Sequence, residues 1–243
     1  MSPEIATGES FAFRLSMMRP GTFIYHSHMN DVVQLSGGLY GPLIVLPPDE
    51  SFDAEHDHPM VFGWRRPAPQ GLEDVELNGR HEQPSKATTV GERHRFRVIN
   101  IAPAGMVSAW LMRDGEPLPI RLLAKDGADL PAHQQVEVDE LPEIGVGETA
   151  DFTWTPTAPG TYEIRVGFAP EFSFAQTWVV TEKPPTGNGP VGGLHRSTRA
   201  GPSGRDHALG AQPSACSLAA TVWTSSRTRS RFPLQSLPIS SSE

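Results

Sequence analysis

The chain has 243 residues, 37% of them hydrophobic, which is enough for one large or two small folded units, and no apolar run is long enough to cross a bilayer. The formal net charge of -8 is unevenly spread: from Lys183 onward there are seven Lys and Arg against two Asp and Glu, and before it 13 against 26, so the acidic body excludes nucleic-acid binding there. The single cysteine, Cys216, excludes an intrachain disulfide and, lying in the basic tail, excludes a thiolate metal site in the body.

The 24 prolines and 23 glycines sit mostly between short apolar runs, which predicts an all-β chain. The first residues carry neither a basic stretch nor an apolar stretch of the kind that marks an export signal. Gly8-Glu9 opens an alternating run in which Phe11, Phe13 and Leu15 share one face of a half-buried strand. Pro20-Gly21 then turns the chain into a strand over 22–28, a polar segment follows over 29–35, and Gly37-Gly38 precedes a strand over 40–46 that Pro47-Pro48 stops.

The second of these strands holds Tyr25-His26-Ser27-His28. Side chains alternate along a strand, so His26 and His28 point together while Tyr25 and Ser27 point away. Neutral imidazole is the commonest ligand for copper, zinc and iron, and two on one face can each hold one ion of a cluster. Two ligands do not close a site, and an H-x-H on a strand is also compatible with exposed or core-satisfied histidines.

Beyond a polar linker over 47–59, strands are predicted over 60–64, 73–77, 93–101, 107–113, 119–124, 135–141, 150–155, 161–166 and 177–181, with Asn78-Gly79, Asp114-Gly115 and Asp126-Gly127 turns among them. Short strands at this spacing predict a β-sandwich. An echo joins the two parts: Gly8-Glu9, Phe13 and Pro20-Gly21-Thr22-Phe23 return as Gly147-Glu148, Phe152 and Pro159-Gly160-Thr161-Tyr162 with the same spacing. This implies two similar units in tandem, with Arg165 and Gly167 standing where the first copy has His26 and His28. The expected organisation is therefore the closing part of one unit over 1–50, a complete sandwich over 56–182, and a disordered tail over 183–243 whose composition also suits an unrelated C-terminus joined by a frameshift.

Pro20-Gly21-Thr22-Phe23-Ile24-Tyr25-His26-Ser27-His28, followed by Gln34 and Gly38-Leu39-Tyr40-Gly41-Pro42-Leu43-Ile44-Val45, resembles the multicopper oxidases, the laccase-like family of cupredoxin domains. Residues 56–182 resemble that family's ligand-free cupredoxin-like domains, through Leu77-Asn78-Gly79, Arg95-Phe96-Arg97-Val98-Ile99-Asn100, Ala124-Lys125-Asp126-Gly127-Ala128 and Gly147-Glu148-Thr149. The resemblance implies a partial cupredoxin β-sandwich followed by a second one. It implies copper as cofactor, with His26 and His28 as ligands of the two type 3 ions of a trinuclear cluster. It also implies dioxygen and a small reducing substrate as partners in the complete enzyme, and a periplasmic or secreted setting.

The family's other ligand motifs, H-x-H-G, H-C-H and H-x-x-H-x-H, do not occur in the sequence. The expectation is an interior or C-terminal piece of an oxidase, whose missing ligands come from upstream sequence or another subunit. A non-catalytic cupredoxin-like module that binds copper or contacts a partner is the alternative. A cupin metalloenzyme, which also uses a strand-borne H-x-H, ranks third because Asp31 is the only carboxylate near the motif.

Other groups have plainer roles beside their chemical ones. His56-Asp57-His58, near Asp53 and Glu55, offers a surface metal site, but a polar linker accounts for it. His81, His94 and His133 are isolated in sequence. Met17, Met18 and Met29 suit copper(I), yet loop and packing roles explain them. Asp126 and Asp129 read first as turn residues, and Arg227, Arg229 and Arg231 as part of a solvated tail.

Overall fold

A computed structural model of the chain describes residues 8, 10, 19–28, 31–64, 75–182 and 218–219. Its elements, in chain order, are β1 (Gly21–His26), α1 (Asp31–Ser36), β2 (Tyr40–Val45), β3 (Asp57–Trp64), β4 (Val75–Leu77), β5 (Lys86–Thr89), β6 (His94–Asn100), β7 (Ser108–Arg113), β8 (Glu116–Leu118), β9 (Ile120–Lys125), β10 (Ala128–Asp129), β11 (Glu137–Val138), β12 (Thr149–Trp154), β13 (Gly160–Ala169), β14 (Phe172–Thr181) and β15 (Leu218–Ala219). The expected all-β class is what the described residues show.

Two sheets form a sandwich. One runs β10-β9-β12-β6-β3-β4 with β11 on β9, and the other runs β5-β14-β13-β7-β8. Most pairs are antiparallel, but β3 lies parallel to β6 and β5 parallel to β14, so two long crossovers tie the sheets together. Alternation along β6 sends Phe96 and Val98 into the core, where Phe96 stacks on Phe152 with ring centroids 4.8 Å apart and an interplanar angle of 14°.

The tight turns fall where their sequences place them. Asn78-Gly79, Asp114-Gly115 and Asp126-Gly127 each put two successive residues at positive φ, which suits the right-handed twist of the flanking strands. The echo has a backbone counterpart as well: Gly8 and Gly147 have φ of 88° and 81°, and Gly21 and Gly160 have φ of 157° and 145°.

β1 and β2 form an antiparallel pair, Gly21 opposite Val45 and His26 opposite Tyr40, with the backbone of β15 on the far side of β2. This hairpin and α1 cover the outer face of the first sandwich sheet. Leu35, Val61, Ile99 and Ile101 are buried there, with Ile24 and Tyr40 packed against them.

Several expectations shift. The segment 29–35, expected only as a polar connection, contributes α1. β3 begins at Asp57, so His58 lies in a buried strand and not in a linker, because parallel pairing with β6 continues through Asp57 and His58. The strand expected over 135–141 contracts to β11, and β5 and β8 form where the sequence pattern predicts no strand. The strand expected around Phe11, Phe13 and Leu15 and almost all of the tail lie outside the described residues.

Candidate metal centre

β1 runs Gly-Thr-Phe-Ile-Tyr-His, and its alternate residues meet the sandwich. Thr22 bonds to it, Ile24 packs on it, and His26 continues the same face opposite Tyr40. The ladder extends one residue further, since the Ser27 N–H donates to the Leu39 carbonyl at 3.2 Å. His28 therefore returns to the side of His26, and the two ring centroids are 4.8 Å apart with planes inclined at 36°.

The tautomer of His26 follows from its neighbour. Its Nδ1 lies 2.8 Å from the Ser27 carbonyl oxygen, which can only accept, so Nδ1 carries the proton and Nε2 keeps its lone pair. That is the arrangement a metal-binding imidazole needs, with the second nitrogen held by the backbone. His28 is exposed and His26 half-buried, so both are accessible. Among the described residues no group of three or more His, Cys, Asp or Glu is placed to hold a metal ion. The pair fits copper as two imidazole donors of a larger set.

Polar docking on the sandwich fixes the position of β1. The Thr22 hydroxyl donates to Asp151 Oδ2 at 2.8 Å and accepts from Arg97 Nη1 at 2.8 Å, while the Thr149 hydroxyl donates to the Thr22 carbonyl at 3.1 Å. Arg95 donates to Asp151 through Nε at 2.9 Å and Nη2 at 2.5 Å, and Arg97 reaches Asp57 through Nε at 2.6 Å and Nη2 at 2.5 Å. Burial pushes the Asp151 carboxyl above the ordinary carboxylate range, against the pull of Arg95, Arg97 and Thr22. Beside His26, burial and then the Glu76 charge raise the Tyr40 phenol well above its ordinary value, so it stays neutral.

The remaining candidates separate. Asp129 pairs with Arg95 at 3.2 Å, whereas Asp126 accepts from the Thr149 N–H inside its turn. His81 and His133 are exposed, the latter in a short 3-10 turn at Ala132–Gln134. Arg165, the counterpart of His26, pairs with Glu163 and donates to the Pro170 carbonyl. Met17, Met18, Met29, Arg227, Arg229 and Arg231 lie outside the described residues.

His94 is not isolated. Pairing of β3 with β6 brings it to His58, with His58 Nε2 3.1 Å from His94 Nδ1 and ring centroids 5.3 Å apart. His56 stands 5.2 Å from His94, ring to ring, and bonds to Asp53 at 2.8 Å. The alternating His56 and His58 were the only local sign of this cluster. Its third member comes from 36 residues away through a parallel pairing that no short motif announces.

Residues 1–50 match the family model described as multicopper oxidase. Laccase-5 of Trametes villosa is 28% identical over 172 residues, 61% of this chain and 31% of that protein. L-ascorbate oxidase of Cucurbita pepo var. melopepo is 44% identical over 52 residues, 21% of this chain and 9% of that protein. The chain thus spans at most about a third of the length of these curated relatives. Among solved structures, the blue copper oxidase from Nitrosomonas europaea superposes with a TM-score of 0.56 at 21% identity, covering 72% of this chain and 61% of that one. The laccase from Botrytis aclada gives 0.57 at 19% identity, covering 80% of this chain and 41% of that one. The structural likeness fixes the fold as cupredoxin-like.

Proposed function

We propose, from the premise that this chain is a relative of the multicopper oxidases, with their cupredoxin-like fold and with copper as the family's metal, that His26 and His28 donate two imidazoles to the type 3 ions of a trinuclear cluster. The observation that carries this reading is the pair of neighbouring rings at the end of β1 and just beyond it, with the His26 Nε2 lone pair left open by the Nδ1 bond to Ser27. Copper, when bound, supplies the one-electron steps that join oxidation of a small reducing substrate to reduction of dioxygen to water. The remaining donors come from upstream residues or another subunit. The division into a ligand-bearing part over 1–50, a ligand-free sandwich over 56–182 and a separate tail over 183–243 belongs to the same reading.

The chain's own residues orient the pair. Thr22 and Ile24 seat β1 on the sandwich, and the Ser27 carbonyl holds the His26 ring by its Nδ1–H. The second reading, a non-catalytic copper-binding or interaction module, is favoured by the absence of any three-donor group among the described residues.

Copper(II) titrated into the purified chain and followed by electron paramagnetic resonance tests both readings. Nitrogen hyperfine structure from bound imidazole is expected, and it should be lost when His26→Ala and His28→Ala are combined. The same signal in that double variant would place any copper elsewhere. Dioxygen uptake with a phenolic donor, measured with and without a source of the missing donors, then separates oxidase from module.

A further inference from the structure

The second sandwich contains a hydrogen-bonded chain that crosses between its two sheets and plays no part in the metal centre. Lys86 Nζ is 3.1 Å from His58 Nδ1, His58 Nε2 is 3.1 Å from His94 Nδ1, and His94 Nε2 is 2.7 Å from the Thr88 hydroxyl. That hydroxyl donates to Glu92 Oε2 at 2.8 Å. Lys86 and Thr88 belong to β5 in one sheet, and His58 and His94 to β3 and β6 in the other.

Proton placement along this chain is fixed from both ends. The Lys86 ammonium only donates, so His58 Nδ1 must accept and His58 Nε2 must carry the proton that goes to His94 Nδ1. At the other end the Thr88 proton is committed to Glu92, so the Thr88 oxygen must accept from a proton on His94 Nε2. Both arguments give the same pattern, each ring neutral and protonated on Nε2 alone. A proton added to His58 would set two donors facing each other at Lys86. One added to His94 would do the same at His58.

Burial and the Lys86 charge outweigh the acidic neighbours that would favour that proton on His58, and burial outweighs them on His94. His58 and His94 are 4% and 2% exposed, enclosed by Phe96 and Trp178, with Trp154 also against His94. The charged and titratable groups facing them are Lys86 on β5, His56 and Asp53 before β3, and Glu92 before β6, and the backbone of Glu55 also interacts with His94. A cavity of about 410 Å³ lined by His56, Lys86, Glu92, His94 and Trp178 gives solvent a route to the chain.

We propose that Lys86, His58, His94, Thr88 and Glu92 form an acid-sensitive clasp between the two sheets, closed while both imidazoles are neutral and released when either takes a proton. Burial depresses the two histidines from 6.5, to about 3 for His58 and about 4 for His94, in keeping with this geometry. The sign follows from proton counting. As pH falls below 6.5 the unfolded chain protonates these rings and the folded one does not. Stability is therefore fully present above that value and lost progressively toward the folded values.

Urea unfolding of the full chain between pH 7 and 5 tests the clasp. Each excluded proton should raise the unfolding constant roughly tenfold per pH unit once the pH is below 6.5. Lys86→Met removes the ammonium that faces His58 Nδ1 while burial remains, so it should make the pH slope shallower than in the unaltered chain without abolishing it. Nitrogen-detected NMR of the unaltered chain gives an independent reading: both rings should stay neutral and protonated on Nε2 down to pH 5. Either ring titrating near 6.5 in the folded protein, or a pH slope unchanged in a folded Lys86→Met variant, would overturn the proposal. Should that variant not fold, the NMR result decides alone.

Discussion

The Thr22 hydroxyl donates to Asp151 Oδ2 at 2.8 Å, joining the candidate ligand strand to a carboxylate 129 residues away and 1% exposed. Asp151 Oδ1 is buried with no hydrogen-bond partner among the described residues, so Oδ2 gathers Thr22, Arg95 and Arg97 by itself. Asp151→Ala would leave two largely buried guanidiniums without this counter-charge and is expected to cost about 3–5 kcal/mol. Thr22→Val keeps the shape and removes the hydroxyl, for about 1–3 kcal/mol. Residues of one network do not add independently, so a double-mutant cycle in urea should give a coupling of about 0.5–3 kcal/mol. Simple additivity would show that Thr22 and Asp151 are neighbours without being energetic partners.

Gly21, where β1 begins, has φ of 157°, and a methyl group there would overlap the Gly127 carbonyl. Backbone cannot yield as a flexible side chain does, so Gly21→Ala is expected to cost about 1–3 kcal/mol through overpacking. The effect should be local. Amide hydrogen exchange in β1 is expected to accelerate while β6 and β12 keep their protection, because the phenylalanine core lies on the other face of the sheet. Unaltered exchange in β1 would mean that the close approach of Gly21 to Gly127 does not hold the strand in place.

The sheet class, the three positive-φ turns and the existence of strands near 22–28 and 40–46 were legible because each is written locally, whereas the pairing of those two strands was not among the expectations. Alternating side chains, Asn-Gly or Asp-Gly pairs and paired glycines act within a few residues. The His26 and His28 juxtaposition is of this kind, since a strand places i and i+2 together whatever surrounds it. What escaped is the long-range part. Lys86-Ala87-Thr88-Thr89 has no apolar alternation and becomes β5 only through parallel pairing with β14, and His94 looked solitary until β6 lay against β3. Asp57 read as a linker residue, yet Arg97 on a neighbouring strand engages it through two hydrogen bonds. Nothing near Asp57 in the sequence points to that partner.

His56 should respond to pH in the opposite sense to the two buried rings beside it. Its Nδ1 lies 2.8 Å from Asp53 Oδ2, and this hydrogen bond to the carboxylate raises the imidazole above 6.5, with burial opposing it. A raised folded value means that the pair stabilises the fold fully below 6.5 and that the contribution disappears as pH rises through the folded value. The side chains are 38% and 58% exposed, so solvent screening keeps the effect on stability small, and the titration itself is the useful readout. Carbon-detected NMR should show His56 titrating above its ordinary value in the unaltered chain. With Asp53→Asn the carboxylate is gone, and the midpoint should fall toward 6.5. A midpoint that ignores Asp53→Asn would mean that the other acidic neighbours, Glu92 and Glu55, set the His56 charge in place of this pair.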